Sequence, residues 1–289
     1  MKIACLTVFY NGMETFIDEY IECINNQTYK DFTLFIINDG FKGELNEIEK
    51  KLTTKVIIRN ASFEPYLNRI FGLEQCKNHG FELVICSDSD ETMYPDRIEQ
   101  NVKYFGRNPN ALIVYNNSVY DNGVEYFDLF YKKVICLNDI IDFNVLGYGA
   151  LNIKVDLVPF VQSLRNTNVL VFDWWLGLRY LLENDHVEVL DNARNNYRLH
   201  SDNIIGPTIK INKKSIYFSI DVKTSIYNEM LAYCRSNNLH KKVNLFKKKL
   251  NEIEQVIRFI KKNSMSKYIQ LVNTYFEREK KIFWFQNVI

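Results

Sequence analysis

Short apolar runs alternate along the first half of the chain with stretches whose apolar residues recur every three or four positions. Residues 3–9, 32–37, 56–58, 81–86 and 112–115 are runs of strand length. Phe16, Ile17, Tyr20, Ile21 and Ile24 form one helical stripe, and Tyr66, Leu67, Ile70, Leu73 and Cys76 form another. Pro95 is expected in the first turn of the next helix, where its missing N–H costs nothing. Such alternation predicts an α/β fold, a mostly parallel sheet with helices on both faces. Right-handed crossovers then bring the C-terminal strand ends to one rim. That rim should collect Tyr10, Asn11, Asp39, Asp88 and Asp90.

The run 81–86 stops abruptly at Ser87-Asp88-Ser89-Asp90-Glu91. Ligands of open α/β sheets bind above the strand ends. Two carboxylates held together there are costly without a cation beside them. Oxygen ligands suit Mg²⁺ or Mn²⁺, which share their shell with substrate phosphates. A metal–diphosphate site is the first expectation. Asp is also common in turns, so a capping pair is the plain alternative.

Composition narrows the class. The chain has 289 residues, 47% hydrophobic and 25% charged, with only 11 Gly and 5 Pro. That is the make-up of a compact globular protein without long flexible linkers. The start, Met1-Lys2-Ile3-Ala4-Cys5, turns polar too soon for a signal peptide, and no apolar run has transmembrane length. The six scattered Cys read as reduced, mostly buried thiols of a cytoplasmic protein. No Gly-x-Gly-x-x-Gly follows the first strand and no P-loop is present, so side chains and metal, not a glycine cradle, must neutralise any diphosphate.

Net charge is +1 but uneven. Residues 206–289 carry 17 Lys and Arg against 6 Asp and Glu, a balance of +11, leaving −10 for the rest. In this tail Val243, Phe246, Leu250, Ile253, Ile257 and Ile260 form one apolar seam, with lysines around it. A second segment, 267–281, carries Ile269, Val272 and Phe276. The tail is expected to dock on its own chain, pair in a homodimer, or rest peripherally on the anionic inner face of the plasma membrane.

Four blocks resemble a family 2 glycosyltransferase of GT-A fold, in the branch of rhamnosyltransferase-like enzymes of bacterial surface polysaccharides. They are Leu6-Thr7-Val8-Phe9-Tyr10-Asn11; Gln27 through Gly40, ending Asn38-Asp39-Gly40; Ser87-Asp88-Ser89-Asp90 with Pro95-Asp96-Arg97; and Phe172-Asp173-Trp174-Trp175-Leu176 with Tyr197 through Asn203. The resemblance covers roughly residues 1–206. It implies a catalytic domain over 1–206, with a nucleotide-binding half 1–116 and an acceptor half 117–206, and a basic helical tail over 207–289.

The resemblance also implies roles. Thr7, Tyr10 and Asn11 close the strand that meets the nucleoside, and Asp39 pairs with the base; the acid expected before it is Asn38 here. Asp88 faces the ribose, Ser89 lies between the acids, and Asp90 holds the metal. Asn68 and Arg69 lie on the helix before the metal strand, where Arg69 either holds a phosphate or base or is a surface residue. Asp173 is the candidate general base, or a helix cap. Of Trp174 and Trp175, one is expected to pack inward and the other to stack on the acceptor sugar, with core packing of both as the alternative. His200 is a metal ligand, a diphosphate contact or a structural His. Arg198 is a candidate counter-charge for the leaving group. The expected activity is inverting transfer from a UDP- or dTDP-sugar to a glycan or lipid-linked glycan acceptor, using Mn²⁺ or Mg²⁺ and no nucleic acid. The rivals are a nucleotidyltransferase acting on sugar phosphates and a degenerate sugar-binding module.

Overall fold

The computed structural model describes residues 1–120, 132–165, 170–198, 211–279 and 285. The chain divides into two compact units. The first is Met1–Ile135, Leu146–Asn166 and Val187–Leu199; the second is Cys136–Val145, Thr167–His186 and His200–Ile289. This differs from a single cut near residue 206. The chain leaves the sheet and returns to it more than once, a path that a linear reading of motifs does not reveal.

Among the described residues the first unit holds one sheet of nine strands: β1 (Ile3–Tyr10), β2 (Thr33–Asp39), β3 (Lys55–Asn60), β4 (Leu83–Cys86), β5 (Thr92–Met93), β6 (Ile113–Tyr120), β7 (Val134–Ile135), β8 (Leu151–Lys154) and β9 (Val187–Tyr197). The order is β3-β2-β1-β4-β8-β6-β9-β5, with β7 paired to β9. β1 to β4 run parallel, as expected, whereas β8 enters antiparallel to both β4 and β6. β1 is central, and Ile3, Ala4, Cys5 and Leu6 are at most 1% exposed. A strand with neighbours on both sides and helices on both faces must be apolar throughout. β3, at the edge, ends in exposed Arg59 and Asn60.

Helices α1 (Ile17–Asn25), α2 (Leu45–Lys51), α3 (Pro65–Asn78), α4 (Arg97–Arg107) and α6 (Val158–Gln162) belong to the first unit. Both predicted stripes face inward: α1 buries Tyr20, Ile21 and Ile24, and α3 buries Ile70, Leu73 and Cys76. α3 lies so close to β1 that a Cβ on Gly72 would stand 2.8 Å from Leu6 Cδ1. Only glycine permits that approach. Pro95 falls two residues ahead of α4 instead of inside its first turn, and Asp96 occupies the cap position.

The second unit is helical: α5 (Leu137–Ile140), α7 (Phe172–Leu181), α8 (Lys213–Ser236), α9 (His240–Asn263) and α10 (Met265–Glu279). Asn212 caps α8, accepting from the Ser215 N–H at 2.9 Å while Ser215 returns a bond. The predicted seam of α9 is real at Phe246, Ile253 and Ile260, with Val256 buried beside them and Ile257 only partly covered. Among the described residues no helix is long and apolar enough to cross a membrane. Five of the six Cys are buried and Cys136 is exposed; all are free.

Candidate active site

The strand tips of the first unit bring the predicted carboxylates together. Parallel register sets Tyr10 beside Asp39 and Leu6 beside Cys86, so the chain leaving β4 runs on along the end of β1. Ser89 Oγ donates to the Val8 carbonyl at 2.8 Å and pins the loop there. Tyr10 Oη then donates to Asp90 Oδ2 at 3.2 Å. Asp39 is oriented by buried Asn68, whose Nδ2 donates to Asp39 Oδ2 at 2.8 Å. Asn68 is itself fixed by the Phe63 backbone, accepting from its N–H at 3.2 Å. Asn38, the departure from the expected acid pair, donates to Asn60 at 2.9 Å and accepts from the Phe41 N–H, tying the tip of β2 to β3 and the following loop.

Positive charge approaches from two sides. Arg69 Nη2 lies 3.4 Å from Asp88 Oδ1, with its guanidinium over the Tyr148 ring at 4.4 Å. Arg198 Nε donates to the Asp90 carbonyl at 2.9 Å, and its other end pairs with Glu19 over the Phe16 ring. Asp39, Asp88, Asp90, Tyr10, Asn68, Arg69 and Arg198 therefore share one rim. Asn11 is exposed at its border.

Two predicted contacts are placed differently. Thr7 is fully buried, well short of the end of β1, because that strand is covered on both faces. Ser89 is 1% exposed and acts as the anchor of the loop, with its hydroxyl turned to β1.

Three residues of the site did not stand out in the sequence. Glu91, 8% exposed, accepts from Asn195 Nδ2 at 2.8 Å. Burial first, then the charges of Asp88 and Asp90, push its carboxyl well above the usual range. Gly149 lies against both acids: a Cβ there would stand 2.5 Å from Glu91 Oε2 and 3.1 Å from Asp88 Oδ2. The only signal for Glu91 was its place next to the Asp pair. Gly149 lay in the Gly147-Tyr148-Gly149 turn, and Asn195 had no signal.

Asp88 and Asp90 offer oxygen donors at the rim, and the crowding of Glu91 marks a surplus of negative charge there, so the donor set fits a hard divalent cation. Among the described residues no group of three or more His, Cys, Asp or Glu is gathered to hold a metal unaided. His200 lies outside the described residues.

In the second unit, α7 begins at Phe172 with Val171 at the cap, so Asp173 sits inside the first turn instead of capping it. Asn144 Nδ2 donates to Asp173 Oδ2 at 3.2 Å. The expected division between the tryptophans does not hold. Trp174 is 0% and Trp175 2% exposed. The cause is that α7 is apolar nearly all round and covered on every side. Trp174 donates to the Ile140 carbonyl at 2.6 Å and stacks on Phe285 with ring centroids 5.1 Å apart. Neither indole leaves a face open to a sugar.

Comparison with known proteins identifies the family. Residues 5–155 match the profile described as Glycosyl transferase family 2. The chain belongs to that family. Its sequence is 26% identical over 198 residues to the O-antigen biosynthesis glycosyltransferase WbnJ of Escherichia coli, covering 65% of this chain and 76% of WbnJ. Among solved structures, S. aureus TarS 1-349 superposes with a TM-score of 0.58 at 17% identity, over 80% of this chain and 66% of that one. The same protein solved with UDP-GlcNAc matches equally, at 0.58. The mannosyltransferase PcManGT of Pyrobaculum calidifontis, solved with GDP-Man and Mn²⁺, matches at 0.55 and 12% identity over 91% of this chain and 75% of its own. These structures share the GT-A architecture of the first unit.

Proposed function

We propose that this family 2 chain transfers a sugar, with inversion, from a nucleoside diphosphate sugar to a glycan acceptor in the synthesis of a bacterial surface polysaccharide. The observation that carries the reading is the meeting of Asp39, Asp88 and Asp90 at one strand rim, each oriented by a named partner: Asn68, Arg69 and Tyr10. The name of WbnJ and the UDP-GlcNAc and GDP-Man complexes of the structural neighbours support the substrate class.

In this reading Asp39 accepts a hydrogen bond from the base of the nucleotide and Asp88 faces its ribose. Asp90, with Asp88 beside it, would hold Mg²⁺ or Mn²⁺. When bound, the ion supplies charge neutralisation for the departing diphosphate. Arg69 and Arg198 add fixed positive charge at the same rim. Asp173 is proposed, on the family resemblance, as the base that takes the proton of the acceptor hydroxyl. The basic C-terminal helices are proposed to meet an anionic surface or a second copy.

A paired experiment tests the assignment. Asp90→Asn should lower nucleotide-sugar turnover by about 10²-fold or more and remove the Mn²⁺-dependent part of nucleotide binding, read by thermal shift. Asp173→Asn should cut turnover comparably while binding of the nucleotide persists. Wild-type turnover in the first variant would overturn the metal assignment, and in the second the base.

A further inference from the structure

The second unit contains a cavity of about 570 Å³ that the transfer reading leaves unused. It is within the range of small-molecule sites, about 300–1,000 Å³. Its lining comes from the segment after α5 and from α8, α9 and α10, all inside one compact unit. Two lysines form part of the wall. Lys223 is 3% exposed, and the Lys249 side chain is 14% exposed. Lys249 Nζ lies 2.6 Å from Asp142 and 2.9 Å from Glu252, and both acids keep nearly half their side-chain surface open. Aromatic residues, Phe259 and Tyr268 among them, share the apolar wall with Ile253 and Val256, and Leu271, 45% exposed, stands at the rim.

The chemistry of this lining selects its ligand. Burying a lysine such as Lys223 is costly, so the polar patch is not what packing alone would choose. Among the described lining residues the four formal charges, Asp142 and Glu252 against Lys223 and Lys249, cancel. An anion would meet two carboxylates and a cation two ammoniums. An acyl chain would cover four charged groups and return no hydrogen bond. A neutral polyol has none of these penalties: its hydroxyls donate to carboxylates and accept from ammoniums, and the C–H faces of a pyranose suit aromatic rings.

We propose that this cavity is a carbohydrate-binding site for a short neutral oligosaccharide, separate from the carboxylate rim. The proposal does not depend on the transferase reading. Full-length protein should be titrated with neutral tri- to pentasaccharides of hexoses and N-acetylhexosamines, with phosphorylated glycans and palmitate as comparators, by saturation-transfer NMR. A neutral glycan should bind with a Kd of about 1 mM or tighter. Tyr268→Ala should weaken it by about ten-fold or more, and Leu271→Trp, which adds bulk at the exposed rim and narrows the opening, should do the same. Nucleotide-dependent thermal shifts should be untouched in both, which separates this site from the rim. The absence of binding by every neutral glycan overturns the proposal. So does a preference for the acidic glycans or palmitate, or binding indifferent to Leu271→Trp.

Discussion

At the residue scale, the candidate site is shaped by crowding. Gly149 is glycine because two carboxyl groups occupy the space where a side chain would begin. Gly149→Ala should displace the Glu91 carboxyl and break its bond from Asn195, at a cost of about 1–3 kcal/mol. Chemical denaturation should show that loss, and thermal shift a weaker response to nucleotide. Unchanged values in both would mean that Glu91 swings aside freely. Lys223 offers a second test. Burial lowers its pKa from the ordinary 10.5 to about 8, against the opposing pull of Asp142 and Glu252 and with the push of Lys249. Between those two values the unfolded chain holds a proton that the folded chain lacks, so this group adds stability as pH rises. The contribution is up to about 3 kcal/mol across the window. Lys223→Met should therefore be more stable than wild type at pH 7, with the difference shrinking toward pH 10.5. A gap that is constant with pH would show that Lys223 is not the titrating group.

The element scale explains why the Asp pair is rigid. Arg97, at the start of α4, is fully buried; its Nε donates to Asn116 on β6 at 2.7 Å and its Nη2 to the Cys86 carbonyl at the end of β4 at 2.8 Å. Asn152 on β8 joins the same network, donating to Asn116 Oδ1 at 3.0 Å. One guanidinium thus fixes three elements just behind Asp88. Arg97→Met removes charge-assisted bonds and leaves buried acceptors unpaired, so unfolding free energy should fall by about 2–4 kcal/mol. Turnover per folded molecule should fall as well; a stability loss with full activity would confine Arg97 to the scaffold.

Elements differed in how plainly the sequence announced them. β1, β2 and β4 were legible because central parallel strands are continuous apolar runs. α1 and α3 were legible because their buried faces repeat every three or four residues. α2 buries only Ile48, and β9 is rich in Asn because much of it faces polar neighbours; neither carried a hydrophobic signature. The Asp pair was visible because it ends such a run. Glu91 is held by Asn195, far along the chain, and no local pattern encodes a partner at that distance.

At the scale of the whole molecule, the C-terminal helices belong to the core of the second unit. Tyr227 of α8 donates to the Ile141 carbonyl at 2.6 Å, and Phe285 stacks on Trp174. Removing everything after position 206 should therefore strip the cover from α7 and its two indoles. We expect the shortened chain to bind hydrophobic dye and to aggregate, checked by fluorescence and size-exclusion chromatography. A monomeric, cooperatively folding product would show that the stretch 1–206 suffices.

The second unit is gathered from three stretches, 136–145, 167–186 and 200–289, with sheet segments between them. Exchange of this half between relatives therefore cannot proceed through one crossover in the gene. A working chimera has to carry all three stretches from the same parent, and recombination libraries cut at a single junction should yield mostly insoluble offspring.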